Sequence, residues 1–256
     1  MGIASQPALA QSLPVGMVEE PCLPPLPDLS PTATEAEIAS RREAMMERRR
    51  ADWGGLCRHR LSNGALGTRA VEAVFIGDSI TEFWEAASPD LFRDGVVNRG
   101  IGAQTSPQML LRFQQDVIAL KPRVVHIMAG TNDVAGNSGP GRPEDFRNNI
   151  RSMVELAQAH GIGVVIGAIP PAATFSWRPG MAPAGRIREL NGWLRDYARE
   201  RGAVFVDYHE AMRGLDGEMR PELTADGVHP DADGYAVMTP LALAAIQAAA
   251  AGSMPR

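Results

Sequence analysis

Short apolar runs alternate with amphipathic stretches over the last three quarters of the chain. Five runs, several of them rich in Val and Ile without polar alternation, lie at residues 71–76, 96–98, 124–128, 162–168 and 203–206. Such runs are typical of strands that are covered on both faces. Helical periodicity appears at 81–92, 106–119, 143–159, 184–200 and 232–250. Strands that alternate with helices predict one α/β domain with three layers, α/β/α, around a parallel five-stranded sheet.

The first 66 residues show another pattern and predict an N-terminal extension. Six prolines fall within residues 14–31, and this density excludes helix and favours extended, polyproline-like backbone. A helix is expected from Thr34, which fits a capping box with Glu37. Its apolar stripe consists of Ile38, Met45, Met46 and Trp53. We expect residues 1–66 to form a Pro-rich arm plus a helix that packs on a catalytic domain of residues 67–256.

Composition and charge exclude several classes of protein. The chain has 256 residues, 45% of them hydrophobic, which is enough for a buried core. Its 25 Lys and Arg against 30 Asp and Glu give a net charge of −5, so no sequence-wide basic field is present for binding nucleic acid. The longest strongly apolar stretch, 241–251, is shorter than the roughly 18 residues that a membrane span needs, and no span is predicted.

Two features of the N-terminal part concern the cellular compartment. Residues 1–11 end in an Ala-x-Ala-like pattern without a basic n-region, and they resemble the tail of a truncated signal peptide. An arbitrary Ala-rich start is the alternative. Cys22 and Cys57 could form one bridge in an oxidising compartment or be two unrelated free thiols. We expect a periplasmic or secreted protein, and a cytoplasmic one otherwise.

Ligand sites of such sheets lie beyond the carboxyl ends of the strands, and a serine stands at the first of these points. The segment Gly77-Asp78-Ser79-Ile80 follows the first strand and precedes a helix. A serine in this turn has its hydroxyl in the open cleft and its N–H near the positive end of a helix, which suits a nucleophile. Asp78 or Ser79 could instead simply cap the helix.

Two further strand ends carry potential hydrogen-bond donors. The loop of residues 100–105 is rich in small residues that let backbone N–H groups come close to a substrate, although a tight loop explains it equally well. Asn132 follows the third strand, and its side-chain amide is a neutral donor for developing negative charge. It could also cap the next helix.

Asp226 and His229 lie three residues apart before the last helix. In a turn, the carboxylate can accept the imidazole Nδ1–H and leave Nε2 free to remove a proton from a serine. The other four histidines lack a comparable carboxylate and strand-end setting. We interpret His59, His126, His160 and His209 as structural or surface residues, with His126 inside the sheet.

As a set, these four segments resemble the blocks of the SGNH hydrolase (GDSL esterase/lipase) superfamily, in its acetylhydrolase-like branch, over about residues 70–248. The resemblance implies the flavodoxin-like SGNH hydrolase fold. It also implies ester hydrolysis with Ser79 as nucleophile, His229 as general base and Asp226 as its orienting partner. The oxyanion donors would be the Ser79 N–H, an N–H of the second block and the Asn132 side chain. No metal or organic cofactor is required.

The second block departs from the pattern of similar members. Many of them read Gly-Ile-Gly-Gly and donate from the last glycine, whereas this chain has Ala103 there. Ala103 keeps the N–H and can donate if its φ is negative, and Gly102 is the alternative donor. Candidates for the substrate site are Asp78, Gln104, Val134 and Trp177, the last in a long loop with Phe175. For Trp84 we favour packing.

These features predict a serine carboxylic ester hydrolase that removes short, acetyl-like groups through an acyl-enzyme. The substrate would be a small-molecule or carbohydrate ester. An acyltransferase with the same site is the first alternative. A non-catalytic carbohydrate-binding module is the second.

Overall fold

The computed structural model describes residues 16–24 and 26–252, and its centre is a parallel sheet of five strands. The strands are β1 (Ala73–Gly77), β2 (Val96–Gly100), β3 (Val124–Met128), β4 (Gly163–Gly167) and β5 (Val204–Val206). Their order across the sheet is β2-β1-β3-β4-β5. Every neighbouring pair is parallel, so all five carboxyl ends lie at one edge. The predicted α/β class and five-stranded sheet are confirmed.

Helices cover both faces of the sheet, as a three-layer arrangement requires. The helices of the catalytic part are α3 (Ser79–Ala87), α4 (Ser106–Asp116), α5 (Thr131–Ala135), α6 (Pro143–Ala159), α7 (Ala184–Glu200), α8 (Tyr208–Met212) and α9 (Ala232–Gly252). One buried cluster joins α4, α6 and α7 to the sheet, and a second joins α3, α8 and α9 to the other face. Successive β1 residues alternate between them: Val74 and Ile76 enter the first, Ala73 and Phe75 the second.

The last helix, α9, is long and apolar enough to cross a membrane by length and composition alone. A core helix of a globular domain passes the same test. The buried positions of α9 include Tyr235, Met238, Ala242, Ala245 and Ala249, and these side chains belong to the second core cluster. This spacing of three and four residues puts them on one face of the helix, against β3, β4 and β5. The absence of a membrane span stays a prediction.

The extension begins with an irregular arm and the helix α1 (Glu35–Ala51). Thr34 and Glu37 form the predicted capping box. The expectation that this helix packs on the catalytic domain is wrong, because α1 has no buried residue. Its apolar stripe is exposed at Ile38, Met45 and Met46, and so is the following Trp53. Residues 1–11, with the signal-like pattern, lie outside the described residues.

The segment that follows α1 is hydrogen-bonded to the catalytic part. The side-chain amide of Gln108 donates to the carbonyl of Trp53 at 2.7 Å, and that of Gln115 donates to Leu56 at 2.7 Å. A short helix, α2 (Arg60–Leu66), follows. Of the two readings of the cysteines, the structure has the bridge: Cys22 and Cys57 form a disulfide with a Cα–Cα distance of 5.4 Å.

Candidate active site

Ser79 is the first residue of α3, at the carboxyl edge of the sheet. The preceding residue, Asp78, caps the helix through a 2.9 Å bond from the Ile80 N–H to its carboxylate. The end of β2 lies very close to this helix. A Cβ at Gly100 would lie 2.2 Å from the backbone nitrogen of Glu82, so only glycine fits there. The turn therefore presents the serine hydroxyl beside the loop that follows β2.

Ser79, His229 and Asp226 come together although 150 residues separate the first two. Ser79 Oγ lies 2.9 Å from His229 Nε2, and His229 Nδ1 lies 2.7 Å from Asp226 Oδ2. The other Asp226 oxygen accepts the backbone N–H groups of Val228 and His229. Partial burial acts to raise the pKa of Asp226, but the hydrogen bonds from His229 and Val228 outweigh it and lower that pKa. Asp226 is thus held as a carboxylate facing the imidazole.

Thr224 supports this turn, and the sequence reasoning missed it. Its hydroxyl donates to the His229 carbonyl at 2.7 Å and accepts the Gly227 N–H at 3.0 Å. The turn from Asp226 to His229 is thereby tied at Gly227 and His229 to one buried side chain. A threonine two residues before the aspartate, in a turn that contains glycine, was the available signal.

Asn132 lies in α5, and its amide orientation is set by two neighbours. Its Nδ2 donates to Asp78 Oδ2 at 3.1 Å, and its Oδ1 accepts from Asn137 Nδ2 at 2.5 Å. Asn132 is buried next to the turn that carries Ser79. Burial raises the pKa of Asp78 to about 6, against the opposing hydrogen bond from the Ile80 N–H. Asn132 thus has one Nδ2 hydrogen directed to Asp78 and a second one that remains for another acceptor.

The loop after β2, residues 100–105, differs from the expectation at Ala103. Its φ is +66°, not negative, so an alanine occupies a left-handed conformation that favours glycine. The alternative donor is engaged, because the Gly102 N–H donates to Glu82 Oε2 at 2.7 Å. Within the described part of the chain, the Ala103 N–H makes no hydrogen bond. Ala103 is exposed.

A buried arginine, which the sequence reasoning also missed, connects this loop to β1. Arg112 on α4 has no exposed surface, and burial lowers its pKa. It pairs with Asp116 at 3.0 Å. Its other donors reach the Gln104 side chain at 2.6 Å and the carbonyls of Arg99 and Gly77 at 2.7 and 3.1 Å. Arg112 and Asp116 are spaced i, i+4, which in a sequence is typical of an exposed ion pair on a helix. Nothing in the sequence therefore indicated that this pair is buried.

The four candidates for the substrate site have different surroundings. Asp78 and Gln104 are buried, and the Gln104 amide is used inside the protein, by Arg112 and by the Gly54 carbonyl. Val134 is half-buried against the core. Trp177 is 38% exposed, and its ring centroid lies 6.5 Å from that of His229. Of the four, Trp177 offers an open surface beside the histidine.

A second aromatic ring borders the histidine and was not predicted. Phe83 on α3 is 49% exposed, and its centroid lies 5.6 Å from that of His229. Trp177 stacks on the buried Phe175 at 5.0 Å, which fixes its ring. Trp84 is fully buried and donates its indole N–H to Thr239, as expected of a packing residue.

The remaining histidines support the structure. His126 is buried in β3 and lies 2.8 Å from the Tyr208 hydroxyl, and burial lowers its pKa to about 3. His59 lies in the extension beside the end of β2, and its Nε2 is 3.3 Å from the Gly100 carbonyl. Burial, with the charges of Arg99 and Arg112, lowers the pKa of His59 to about 3. It is therefore neutral and donates to that carbonyl.

The chain was compared with known proteins. The GDSL-like Lipase/Acylhydrolase family model matches residues 75–237. The structure of a GDSL-like lipase from Bacteroides thetaiotaomicron superposes with a TM-score of 0.75 at 40% identity, covering 77% of this chain and all of that one. The acetylxylan esterase of Geobacillus stearothermophilus is 30% identical over 188 residues, which are 69% of this chain and 80% of that protein.

A shorter match reaches the uncharacterized lipoprotein YqeF of Bacillus subtilis, with 40% identity over 75 residues. These residues are 28% of this chain and 30% of that protein. The family match includes Ser79, the loop 100–105, Asn132, Asp226 and His229, all at the same edge of the sheet. The chain belongs to the GDSL-like lipase/acylhydrolase family and is a serine ester hydrolase with the SGNH fold.

Proposed function

We propose that the protein removes short, acetyl-like groups from carbohydrate or other small-molecule esters, with Ser79 as nucleophile. The observation that carries the proposal is the unbroken hydrogen-bonded series from Ser79 Oγ through His229 to Asp226, at 2.9 and 2.7 Å. A hydroxyl, an imidazole and a carboxylate in such a series support serine acyl transfer with these residues as nucleophile, base and orienting acid.

In the proposed reaction, Ser79 Oγ attacks the ester carbonyl while His229 Nε2 takes the hydroxyl proton. The tetrahedral intermediate collapses, His229 returns this proton to the leaving alcohol, and an acyl-Ser79 remains. Water, deprotonated by His229, then attacks the acyl-enzyme; the bond between the acyl carbon and Ser79 Oγ breaks, His229 returns the proton to Ser79 Oγ, and the acid is released. Throughout, Asp226 accepts the Nδ1–H and stabilises the imidazolium that forms in each half.

The proposed oxyanion donors are the Ser79 N–H, the Ala103 N–H and the second Nδ2 hydrogen of Asn132. The Ser79 N–H lies at the N-terminus of α3, where the helix dipole favours negative charge. Ala103 is favoured over Gly102 although its φ is positive, because the Gly102 N–H already donates to Glu82 while the Ala103 N–H makes no hydrogen bond within the described residues. The left-handed conformation strains the alanine but does not remove its N–H. Donors that are fixed before the reaction stabilise the oxyanion without reorganisation.

Two observations support a sugar ester with a short acyl group. Exposed faces of Phe83 and Trp177 flank His229 and offer apolar surfaces to a substrate beside the catalytic groups. The Geobacillus relative is an acetylxylan esterase. Asp78 and Val134, which the sequence suggested as substrate-binding residues, act indirectly in this arrangement: Asp78 acts through Asn132, and Val134 acts through the core.

A panel of p-nitrophenyl esters of increasing acyl length, with acetylated xylooligosaccharides beside it, tests the proposal. We expect acetate to be preferred and deacetylated sugar to appear. Ser79→Ala should abolish both activities and labelling by a fluorophosphonate probe, whereas Ser62→Ala, on the exposed face of α2, should change neither. Equal activity in Ser79→Ala would contradict the proposed nucleophile. If added alcohol or sugar diverts most of the acyl group from water, the protein is an acyltransferase.

We also propose that the protein is exported. The Cys22–Cys57 bridge is typical of oxidising compartments, and the Bacillus relative is named a lipoprotein. Alkylation of free thiols in intact cells before lysis, followed by mass spectrometry, tests this. A bridged pair in an extracytoplasmic fraction supports export, and alkylated Cys22 and Cys57 in the cytoplasm contradict it.

A further inference from the structure

We propose that Arg58 and Glu82 form a positioning pair that holds the loop 100–105, called here the oxyanion loop, against the helix that carries Ser79. The inference rests on the proposed roles of Ser79 and this loop. It assigns a function in catalysis to the N-terminal extension, because Arg58 lies outside the residues 75–237 that the family model matches.

Glu82 joins three parts of the molecule. It lies on α3, three residues after Ser79, and its Oε2 accepts the Gly102 N–H at 2.7 Å. Its Oε1 accepts from Arg58 Nη2 at 2.6 Å. A Cβ built on Gly102 would lie 2.9 Å from Glu82 Oε2 and 3.7 Å from Ser79 Cβ, so this position of the loop lies close to both side chains.

The extension holds the other side of Ala103 as well. Gln104 donates its side-chain amide to the Gly54 carbonyl at 3.0 Å and accepts from Arg112 at 2.6 Å. Gly102 and Gln104 are therefore both anchored, and Ala103 lies between them with φ +66°. A non-glycine residue persists in this conformation only where the surrounding structure over-determines it. The two anchors supply that constraint.

The segment that carries Arg58 is itself well fixed. The Asp52 carboxylate accepts the N–H groups of Leu56 and Cys57, each at 2.8 Å, and closes a tight turn directly before Arg58. Cys57 is bridged to Cys22. Arg58 thus reaches Glu82 from a turn held by two carboxylate bonds and a disulfide, and not from a mobile arm.

The pair also has an electrostatic consequence. An unpaired carboxylate beside the oxyanion loop would oppose the negative charge that develops on the substrate oxygen. The Arg58 guanidinium at 2.6 Å compensates the charge of Glu82 while leaving Oε2 free to accept from Gly102. Arg58 and Glu82 are positioning residues: they act through the backbone of Gly102 and Ala103 and touch no reacting atom.

The test measures kcat, KM and melting temperature for Arg58→Ala, Glu82→Ala and Glu82→Gln with p-nitrophenyl acetate. Arg60→Ala is the matched control, because Arg60 belongs to the same segment and its polar contacts, among the residues that the structure describes, are with Glu19 and Glu20 of the arm. A donor displaced by about 1 Å can lower a rate by about a hundredfold. We expect kcat to fall about 10- to 100-fold in Glu82→Ala and about 3- to 10-fold in Arg58→Ala, with KM changed less than about threefold.

Glu82→Gln keeps an acceptor for Gly102 and should retain more of kcat than Glu82→Ala, while Arg60→Ala should match the parent. Arg58 is an exposed side chain, so Arg58→Ala gives a folded variant even if Glu82→Ala does not fold. The proposal is overturned if Arg58→Ala keeps the parent kcat, or if its loss lies in KM. It is also overturned if Glu82→Ala raises kcat, since Glu82 would then be blocking the Gly102 donor. Failure of the parent enzyme, or activity in Ser79→Ala, would instead contradict the proposed function itself.

Discussion

Asn132 Nδ2 donates to Asp78 Oδ2 at 3.1 Å, so a buried carboxylate next to the nucleophile orients the amide proposed to bind the oxyanion. Asp78 is 2% exposed and has no cationic side chain among its hydrogen-bond partners. Its ionisation is therefore disfavoured in the folded protein, and the pKa of about 6 reflects this burial. Asp78 should therefore contribute to the dependence of the protein's stability on pH.

We expect the difference in unfolding free energy between Asp78→Asn and the parent to grow as pH rises from 4 to 8. Between the ordinary pKa of 3.8 and the folded value of about 6, the folded parent binds more protons than the unfolded chain, so its stability falls as pH rises. The Asn variant lacks this fall. The rise of the Asp78 pKa from 3.8 to about 6 corresponds to about 3 kcal/mol of unfolding free energy. Urea unfolding at several pH values measures it.

Titrating groups that do not act on Asp78, including Asp226, cancel in that difference, whereas Asp133 and His229, whose charges act on the pKa of Asp78, cancel only in part. A difference that stays constant between pH 4 and 8 would contradict burial of an ionisable Asp78.

Asp78→Asn should also lower kcat, because an amide at this position places a donor opposite the Asn132 Nδ2 in one of its two orientations.

Ala103→Gly should stabilise the protein slightly. A left-handed alanine is strained by about 1–2 kcal/mol, and the substitution removes this strain. The greater freedom of glycine in the unfolded chain reduces the resulting stabilisation by about 0.5–1 kcal/mol. We expect a net gain of about 0.5–1 kcal/mol by denaturant unfolding. The control is Ala244→Gly, at an exposed position inside α9, which should lose about 1 kcal/mol. A loss of similar size in both variants would contradict the strain at Ala103.

Much of the fold could be predicted from sequence, because strands that are buried on both faces appear in the sequence as uninterrupted apolar runs. The run 124–128 coincides with β3, and the stretches 143–159 and 184–200 coincide with α6 and α7. The same logic placed Ser79, Asn132, Asp226 and His229 at one edge of the sheet, since parallel strands bring all their carboxyl ends there.

The errors concern features that depend on distant partners. The stripe at Ile38, Met45 and Met46 has helical spacing, but periodicity does not show whether anything covers it, and these side chains are exposed. The φ of Ala103 is set by anchors at Gly102 and Gln104, whose partners lie 20 to 50 residues away. Arg112 reads as half of a surface pair, and only the assembled sheet shows that it is buried.

Asn137 holds Asn132 in place and links it to the aromatic loop. Its Nδ2 donates to Asn132 Oδ1 at 2.5 Å, and its Oδ1 accepts the Trp177 indole N–H at 3.0 Å. Asn137→Ala removes the first bond and should lower kcat about 3- to 10-fold, because a looser donor stabilises the oxyanion less well.

The isosteric change Asn137→Asp should lower kcat further. A carboxylate opposite Asn132 Oδ1 favours rotation of that amide, which would turn its Nδ2 away from Asp78. Trp177→Phe, which removes the indole N–H bond and keeps a smaller aromatic ring beside His229, is the control and should retain more activity than either. Steady-state kinetics with p-nitrophenyl acetate provide the comparison. Equal activity in the Ala and Asp variants would show that the orientation of Asn132 does not depend on Asn137.

Reduction of the Cys22–Cys57 bridge should act on the active site more than on the core. The bridge closes a loop over a separation of 35 residues, for which the chain-entropy model allows about 4 kcal/mol. The helix α1 within this loop has no buried residue, so most of the loop can loosen without opening the sheet. We therefore expect dithiothreitol to lower the melting temperature by only a few degrees while hydrogen exchange speeds up at residues 52–59.

Because Arg58 follows Cys57 directly, the same treatment should lower kcat in the direction expected for Arg58→Ala. The double variant Cys22→Ser/Cys57→Ser should show these changes without reductant and should not respond to it. If dithiothreitol lowers kcat equally in the parent and in the double variant, the effect does not come from the bridge. If hydrogen exchange at residues 52–59 is unchanged in the double variant, the Asp52 turn and the Gln104 and Gln108 contacts hold the segment without the disulfide.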